Sequence, residues 1–399
     1  MRNIVGGVTG PQGFTAAGVS CGLKKDGAPD LALIFSETPA VAAGVFTTNK
    51  VKAAPVLISR ERLSAEYARA VVINSGNANA CLGEQGLRDA RAVAAKTADL
   101  LKISPREILL GSTGVIGVPL PVNRILDALP ALVNSLSPAG GAAAARAIMT
   151  TDICPKEWGR RLVLDGGEVS IGGMAKGSGM INPKMATMLA VLTTDARVEK
   201  ELLREALREV NALTFNRITV DGDTSTNDTV FLLANGTADA PPVTPGRNLD
   251  EFKAALYEVC SQLAKMLVKD GEGATKFITV RVTGAAGEEE AEIAARAVAN
   301  SNLVKTAFFG EDANWGRILA AVGYSGIEFS PETTEIALGS LTVFRDGKGF
   351  DFAEEEAARI LRAPEVEVAI NLHRGDAEAR IWTCDLSYDY VKINASYRS

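Results

Sequence analysis

The stretch that most constrains this chain lies just before its midpoint: Met174-Ala-Lys-Gly-Ser-Gly-Met-Ile-Asn-Pro-Lys-Met-Ala-Thr-Met-Leu189. It begins as a glycine-rich, mobile loop and closes on an apolar run, Met188-Leu-Ala-Val-Leu192, that reads as a buried strand. Thr187 stands at the junction. Gly177, Gly179 and Pro183 allow the loop unusual backbone angles while the strand pins Thr187, so its hydroxyl can approach the carbonyl of Ala186. An N-to-O acyl shift there would yield an ester, and hydrolysis of that ester would leave Thr187 as a new N-terminus. The expected products are chains 1–186 and 187–399.

A threonine freed in this way carries its own base. The α-amine has a reference pKa of about 7.7 to 8.0, close enough to neutral to take the hydroxyl proton. No histidine is then required, and His373 is the only one, which leaves little room for a conventional triad or a histidine-rich metal site. The net charge of -6 argues against nucleic acid as a partner, since phosphate binding needs a basic footprint. No apolar run is long enough to span a bilayer, and the N-terminus has one basic residue followed by glycines where a signal peptide would need an apolar core. The expectation is a cytoplasmic enzyme of small metabolites. The five scattered cysteines show no Cys-x-x-Cys spacing and read as reduced, buried thiols.

At 399 residues the chain is long enough for two lobes. Leu31–Phe35, Ala42–Phe46 and Ala70–Asn74 read as strands of a mixed sheet, and Leu87, Ala90, Ala94, Ala98 and Leu101 mark a helix packed on it. Glu107–Leu110 is a short strand that empties into Gly111-Ser-Thr-Gly-Val-Ile-Gly117. Such a turn can present backbone N–H groups and the Thr113 hydroxyl to a developing negative oxygen, or it can be a tight structural turn before Pro119. Alanine-rich 140–149 reads as a helix running into Thr150-Thr-Asp152, where the polar residues could simply terminate it. Arg161–Leu164 and Glu168–Ile171 flank Asp165-Gly-Gly167, a hairpin signal.

Asp221-Gly-Asp-Thr-Ser-Thr-Asn-Asp228 is rich in oxygen but lacks the calcium-loop frame, so it reads as a hydrogen-bonded turn with no metal expected. The glycines around Glu272 are expected to expose its carboxylate as a cation partner or as an ordinary solvated acid. Residues 305–316 look too irregular for a strand, and roughly 277–390 reads as a second α/β lobe. No nucleotide-cradling Gly-x-Gly-x-x-Gly stands after a strand, and no cofactor is expected.

The Thr187 segment, together with Ser112–Gly117, Met149–Asp152, Asp221–Asp228, Phe309-Gly-Glu-Asp-Ala-Asn-Trp-Gly316 and the ending Asn394-Ala-Ser-Tyr-Arg-Ser399, resembles the ornithine acetyltransferase family, the glutamate N-acetyltransferases of arginine biosynthesis. The resemblance covers nearly the whole chain in motif order. It implies a two-lobed α/β fold of the α+β type, shared with a self-processing aminopeptidase class. It also implies a heterotetramer of cleaved chains, and ping-pong transfer of acetyl from N2-acetylornithine through Thr187 to glutamate, with acetyl-CoA a second donor in some members. It assigns Thr113 and Gly114 to an oxyanion hole. Thr150 more than Thr151, with Glu272, Asn394 and Ser399, is assigned to the substrate site. Ornithine and glutamate end in opposite charges, so recognition should fall on their shared α-groups, and Lys176 is the cation assigned to the α-carboxylate. Two other classes share parts of this signature: an N-terminal-threonine peptidase or amidase, and a non-catalytic ligand-binding relative.

Overall fold

The computed structural model describes residues 1–182 and 188–396. The chain divides into two compact units, Met1–Asn216 with Asp223–Leu267, and Arg217–Gly222 with Val268 onward.

In the first unit the strands are β1 (Arg2–Asn3), β2 (Phe14–Val19), β3 (Leu31–Phe46), β4 (Ala68–Asn77), β5 (Ile108–Val115), β6 (Lys156–Leu164), β7 (Gly167–Lys176), β8 (Leu189–Thr194) and β9 (Thr229–Ala234). Its helices are α1 (Ala54–Arg62), α2 (Gly83–Leu101), α3 (Val122–Asn134), α4 (Gly141–Ala147), α5 (Lys200–Leu213) and α6 (Arg247–Lys269). Among the described residues the hydrogen-bonded order is β1-β6-β7-β8-β9-β3-β4-β5, with β2 on β3. Residues 31–35 and 42–46, read from sequence as two strands, are one strand of sixteen residues. Its first half pairs with β2 and β4, its second half with β9, and the register breaks between Phe35 and Ala40.

That break lets the two halves serve two packed layers. Alternation along the strands shows it: Val71 and Ile73 of β4 join Met174, Leu189, Val191, Phe231 and Leu233 in an inner core. Ala70 and Val72 of the same strand turn outward to Ala90, Val93 and Ala94 of α2 and to Ile125 and Leu129 of α3. Helix α4 fits beside this core because it is rich in small residues: a Cβ on Gly141 would lie 2.4 Å from the Gly6 carbonyl oxygen.

The β6–β7 hairpin turns on Asp165 and Gly166, both with positive φ (44° and 89°), as a two-residue Asp-Gly turn requires. The hairpin is longer than its sequence signal. Strand β7 keeps pairing with β6 and β8 as far as Lys176 opposite Leu189, so Met174–Lys176, expected in a mobile loop, is strand.

The second unit holds β10 (Phe277–Ala285), α7 (Glu288–Asn300), α8 (Asn302–Phe309), α9 (Trp315–Gly323), β11 (Glu335–Leu338), β12 (Leu341–Arg345), β13 (Lys348–Gly349), α10 (Glu354–Leu361), β14 (Glu365–Asn371), β15 (Ala377–Cys384) and α11 (Tyr388–Ser396). Its sheet runs β13-β12-β11-β14-β10-β15, with β10 and β14 parallel. Helix α7 lays Ala291, Ala294, Ala295 and Val298 on Val280, Val282 and Ile381. The irregular stretch 305–316 resolves into the end of α8 and the start of α9. Ser301 and Asn314 cap them, accepting from the N–H groups of Val304 (3.3 Å) and Arg317 (3.1 Å).

The thiols depart from expectation: Cys260 and Cys384 are buried, Cys21 is half-buried, and Cys81 and Cys154 are exposed. Among the described residues no helix is long and apolar enough to cross a membrane.

Candidate active site

At one end of the first unit's sandwich β5 and β7 finish while β8 and β9 begin. There the chain gathers polar side chains. Near the end of β5, Gly114 takes φ +128°, and a Cβ on it would lie 2.4 Å from the Gly76 carbonyl carbon and 2.6 Å from the Asn77 nitrogen. Only glycine permits this approach of two backbones. The β4–β5 register shifts at the same place, with Asn77 opposite both Thr113 and Val115.

Lys176, at the last position of β7, is 7% exposed, which rules out a solvated lysine. Its Nζ donates to Thr150 Oγ1 at 2.7 Å and to Thr113 Oγ1 at 3.3 Å, and lies 3.9 Å from Asp152 Oδ2. Because the Thr113 oxygen accepts from an ammonium, its own proton is left to be given elsewhere, and the nearby positive charge strengthens it as a donor. A hydroxyl so placed, beside the backbone of Gly114, can stabilise an oxyanion.

Asp152 holds the cluster together, a role its sequence position at a helix end did not reveal. Its Oδ1 accepts from Lys156 Nζ (2.6 Å) and from the Gly177 N–H (2.7 Å), and its Oδ2 from the Thr150 N–H (2.9 Å). Burial works to raise the Asp152 carboxyl, but the charges of Lys176 and Lys156, with the bonds from Lys156 and the Thr150 backbone, hold it far below the usual carboxylate range. Lys156 is wholly buried. The available signal was a lysine four residues after an aspartate, which is too common to stand out. Thr151 bonds instead to Ser178 Oγ (2.6 Å), so Thr150 is the threonine of the pair that meets Lys176.

The oxygen-rich segment before β9 is a hydrogen-bonded turn. Thr47 Oγ1 donates to the Ser225 carbonyl (2.8 Å), Asn49 Nδ2 to that of Thr224 (3.0 Å), and Thr224 Oγ1 to that of Asn182 (3.1 Å). At its end Asp228 is buried, with Oδ2 lacking a hydrogen-bond partner. Burial pushes its carboxyl well above the ordinary range, against the opposing bonds of Ser225 and Thr47 and the charge of Lys176.

In the second unit Asn394 Nδ2 donates to Glu272 Oε2 at 2.7 Å. Glu272 is 7% exposed rather than displayed to solvent. The glycine turn tucks it in: a Cβ on Gly273 would lie 2.5 Å from the Tyr390 nitrogen, and Ser387 Oγ donates to the Gly273 carbonyl at 2.6 Å. Ala186, Thr187 and Ser399 lie outside the described residues.

A family model described as the ArgJ family matches residues 15–399. The chain is similar to the arginine biosynthesis bifunctional protein ArgJ of Symbiobacterium thermophilum, 56% identical over 402 residues and spanning 100% of both chains. It is also similar to that of Geobacter sulfurreducens, 51% identical over 391 residues, with 97% of this chain and 99% of the relative covered. Among solved structures, the arginine biosynthesis bifunctional protein argJ from Bacillus halodurans is 48% identical with a TM-score of 0.50, covering 51% of this chain and 97% of that one.

Proposed function

We infer, from the premise that this chain belongs to the ArgJ family, that its acetyltransferase chemistry runs through a threonine the chain itself uncovers. The protein is an acyltransferase of arginine biosynthesis that moves acetyl from N2-acetylornithine to glutamate, giving ornithine and N-acetylglutamate. The proposal concerns how. Thr187, freed by cleavage after Ala186, attacks the acetyl carbonyl with its α-amine as base. Thr113 and the Gly114 backbone take up the oxyanion, ornithine leaves, and glutamate collects the acetyl group from the threonine ester.

The observation that carries this reading is the Lys176 ammonium on the Thr113 hydroxyl, a charged donor feeding the very group assigned to the oxyanion. Two further facts support it. Thr187 directly precedes Met188, whose carbonyl accepts the Thr229 N–H at 2.8 Å, so the bond to be cut adjoins a fixed strand start. The solved Bacillus chain, matched over 97% of its own length, spans 51% of this one, the size a cut near the midpoint would leave.

Lys176 and Thr150 are assigned to the substrate's α-carboxylate, with Lys176 serving both that group and Thr113. Glu272, Asn394 and Ser399 are assigned to substrate on the resemblance alone. The relatives' names call them bifunctional, which supports acetyl-CoA as a second donor. Assembly as a heterotetramer of two cut pairs and residence in the cytoplasm belong to the same reading.

Intact mass of the purified protein tests the cut: two chains meeting at 186/187 are expected, and a full-length chain alone sinks the mechanism. Thr187→Ala should abolish both cleavage and transfer, since one oxygen serves both. Incubation with acetylornithine, with and without glutamate, then separates transfer from a hydrolase that hands acetyl to water. Acetyl-CoA with glutamate tests the second donor.

A further inference from the structure

Asn227 lies in the turn before β9 and is 5% exposed. Its one amide nitrogen donates twice, to the Ala78 carbonyl just after β4 (2.7 Å) and to the Ser112 carbonyl within β5 (2.8 Å). Its Oδ1 is taken by Thr226 Oγ1 (2.6 Å), and its backbone carbonyl by Thr229 Oγ1 (3.0 Å). The side chain is therefore fully committed and cannot turn away. The Ser112 carbonyl belongs to β5 and the Ala78 carbonyl directly follows β4, the two strands whose ends close on each other at Gly114 and Gly76. The Ser112 carbonyl also shares a rigid peptide plane with the Thr113 nitrogen. Fixing that oxygen fixes the plane from which Thr113 leaves the backbone. Within the β4–β5 pair Ser112 Oγ donates to Asn74 Oδ1 (2.6 Å), and Asn74 Nδ2 to the Asn77 carbonyl (2.8 Å), so Ser112 is held to β4 by its side chain and to Asn227 by its carbonyl.

We propose that Asn227 is a positioning residue for acetyl transfer: by bridging the Ala78 and Ser112 carbonyls it sets the separation of β4 and β5, and with it the aim of Thr113 and Gly114 at the developing oxyanion. The inference rests on the oxyanion reading of Thr113. Asn227 touches neither substrate nor the reacting atoms. Its loss acts on the transition state and not on substrate affinity.

The test is a double-mutant cycle on the full chain, with rates expressed per cut chain as counted by mass spectrometry. Asn227→Ala is expected to lower kcat about ten- to a hundredfold, the scale of a misaimed catalytic group, with KM for acetylornithine changed less than about twofold. In a Thr113→Ala background the same change should cost at most about threefold, because the group it aims is already gone. Asn227→Ser, which keeps one donor, should fall between wild type and Asn227→Ala, and it serves for the cycle if the alanine variant does not fold. Equal losses from the Asn227 change in both backgrounds, or a rise in KM with kcat intact, overturn the proposal. Unchanged turnover in Thr113→Ala alone overturns the oxyanion reading itself, which separates the two failures.

Discussion

Asp152 and Asp228 are both buried near the Lys176 cluster, yet they are driven in opposite directions. Asp152 meets two lysines and two backbone N–H groups and is a fixed negative charge. Asp228 meets hydroxyl groups, keeps one oxygen unpartnered, and is driven toward its neutral form. Burial is common to both, so burial does not decide the charge. The nearest cation does. The difference also assigns work: Asp152 anchors Lys156 and steadies Lys176 over Thr113, while Asp228, driven toward its neutral form, competes less for Lys176.

Removing the anchor should have the largest effect. Asp152→Ala removes the carboxylate that pairs with Lys156 in a site with no solvent exposure, which is expected to cost about 3 to 5 kcal/mol of stability and to abolish transfer. Chemical denaturation followed by circular dichroism reads the first and the acetylornithine assay the second. A variant as stable as wild type would show that the pair is solvated, and the contrast with Asp228 would lose its basis.

Thr113→Ala comes next. It removes the hydroxyl that Lys176 feeds and leaves the charge cluster whole, so stability should barely move while turnover drops about two to three orders of magnitude. Unaltered turnover would take Thr113 out of the mechanism.

Lys176→Met should weaken both acetylornithine and glutamate by roughly ten- to a hundredfold, the value of one charge-assisted bond to a shared α-carboxylate. Because Lys176 also donates to Thr113, kcat should fall as well. Steady-state kinetics that show one substrate weakened and the other unaffected would leave Lys176 with only the Thr113 role.

Some of this was legible in the residues and some was not, for physical reasons. Thr113, Gly114 and Thr150 could be named only through the family resemblance, since a tight turn and a helix end are ordinary readings of those residues, and Lys176 through the α-groups that ornithine and glutamate share; the fold brings Thr113, Thr150 and Lys176 into one hydrogen-bonded group. Asp152 and Asn227 were quoted within motifs but read as a helix end and a turn, because their importance lies in partners far along the chain, Gly177 and Ser112. Lys176 was placed in a loop because glycine follows it directly, whereas pairing to β8 extends the strand to its last possible residue. Glu272 was expected outside because glycines flank it, but those glycines let other backbone press in on it. Helix α3 escaped notice because Pro130 lies inside it, although its buried face of Ile125, Leu129 and Leu132 is regular.

The smallest effect is the most direct test of the contrast, because it asks only how Asp228 titrates. Its carboxyl in the folded protein is raised above the ordinary value of about 3.9. Below that ordinary value folded and unfolded chains are both protonated, so Asp228 adds no pH dependence. As pH rises past it, the unfolded chain ionises while the folded chain keeps its proton, and stability falls by about 1.4 kcal/mol per pH unit until the raised value is passed. Asparagine cannot ionise and lacks this slope. Asp228→Asn should therefore differ from wild type by a constant offset below about pH 4 and gain on it steadily above. Urea midpoints from pH 3.5 to 8 at one protein concentration measure the divergence, and the offset at acid pH absorbs whatever the substitution does to packing. Curves that stay parallel across the range would mean that Asp228 ionises in the folded protein as readily as in the unfolded one, and that a buried carboxylate here needs no lysine beside it.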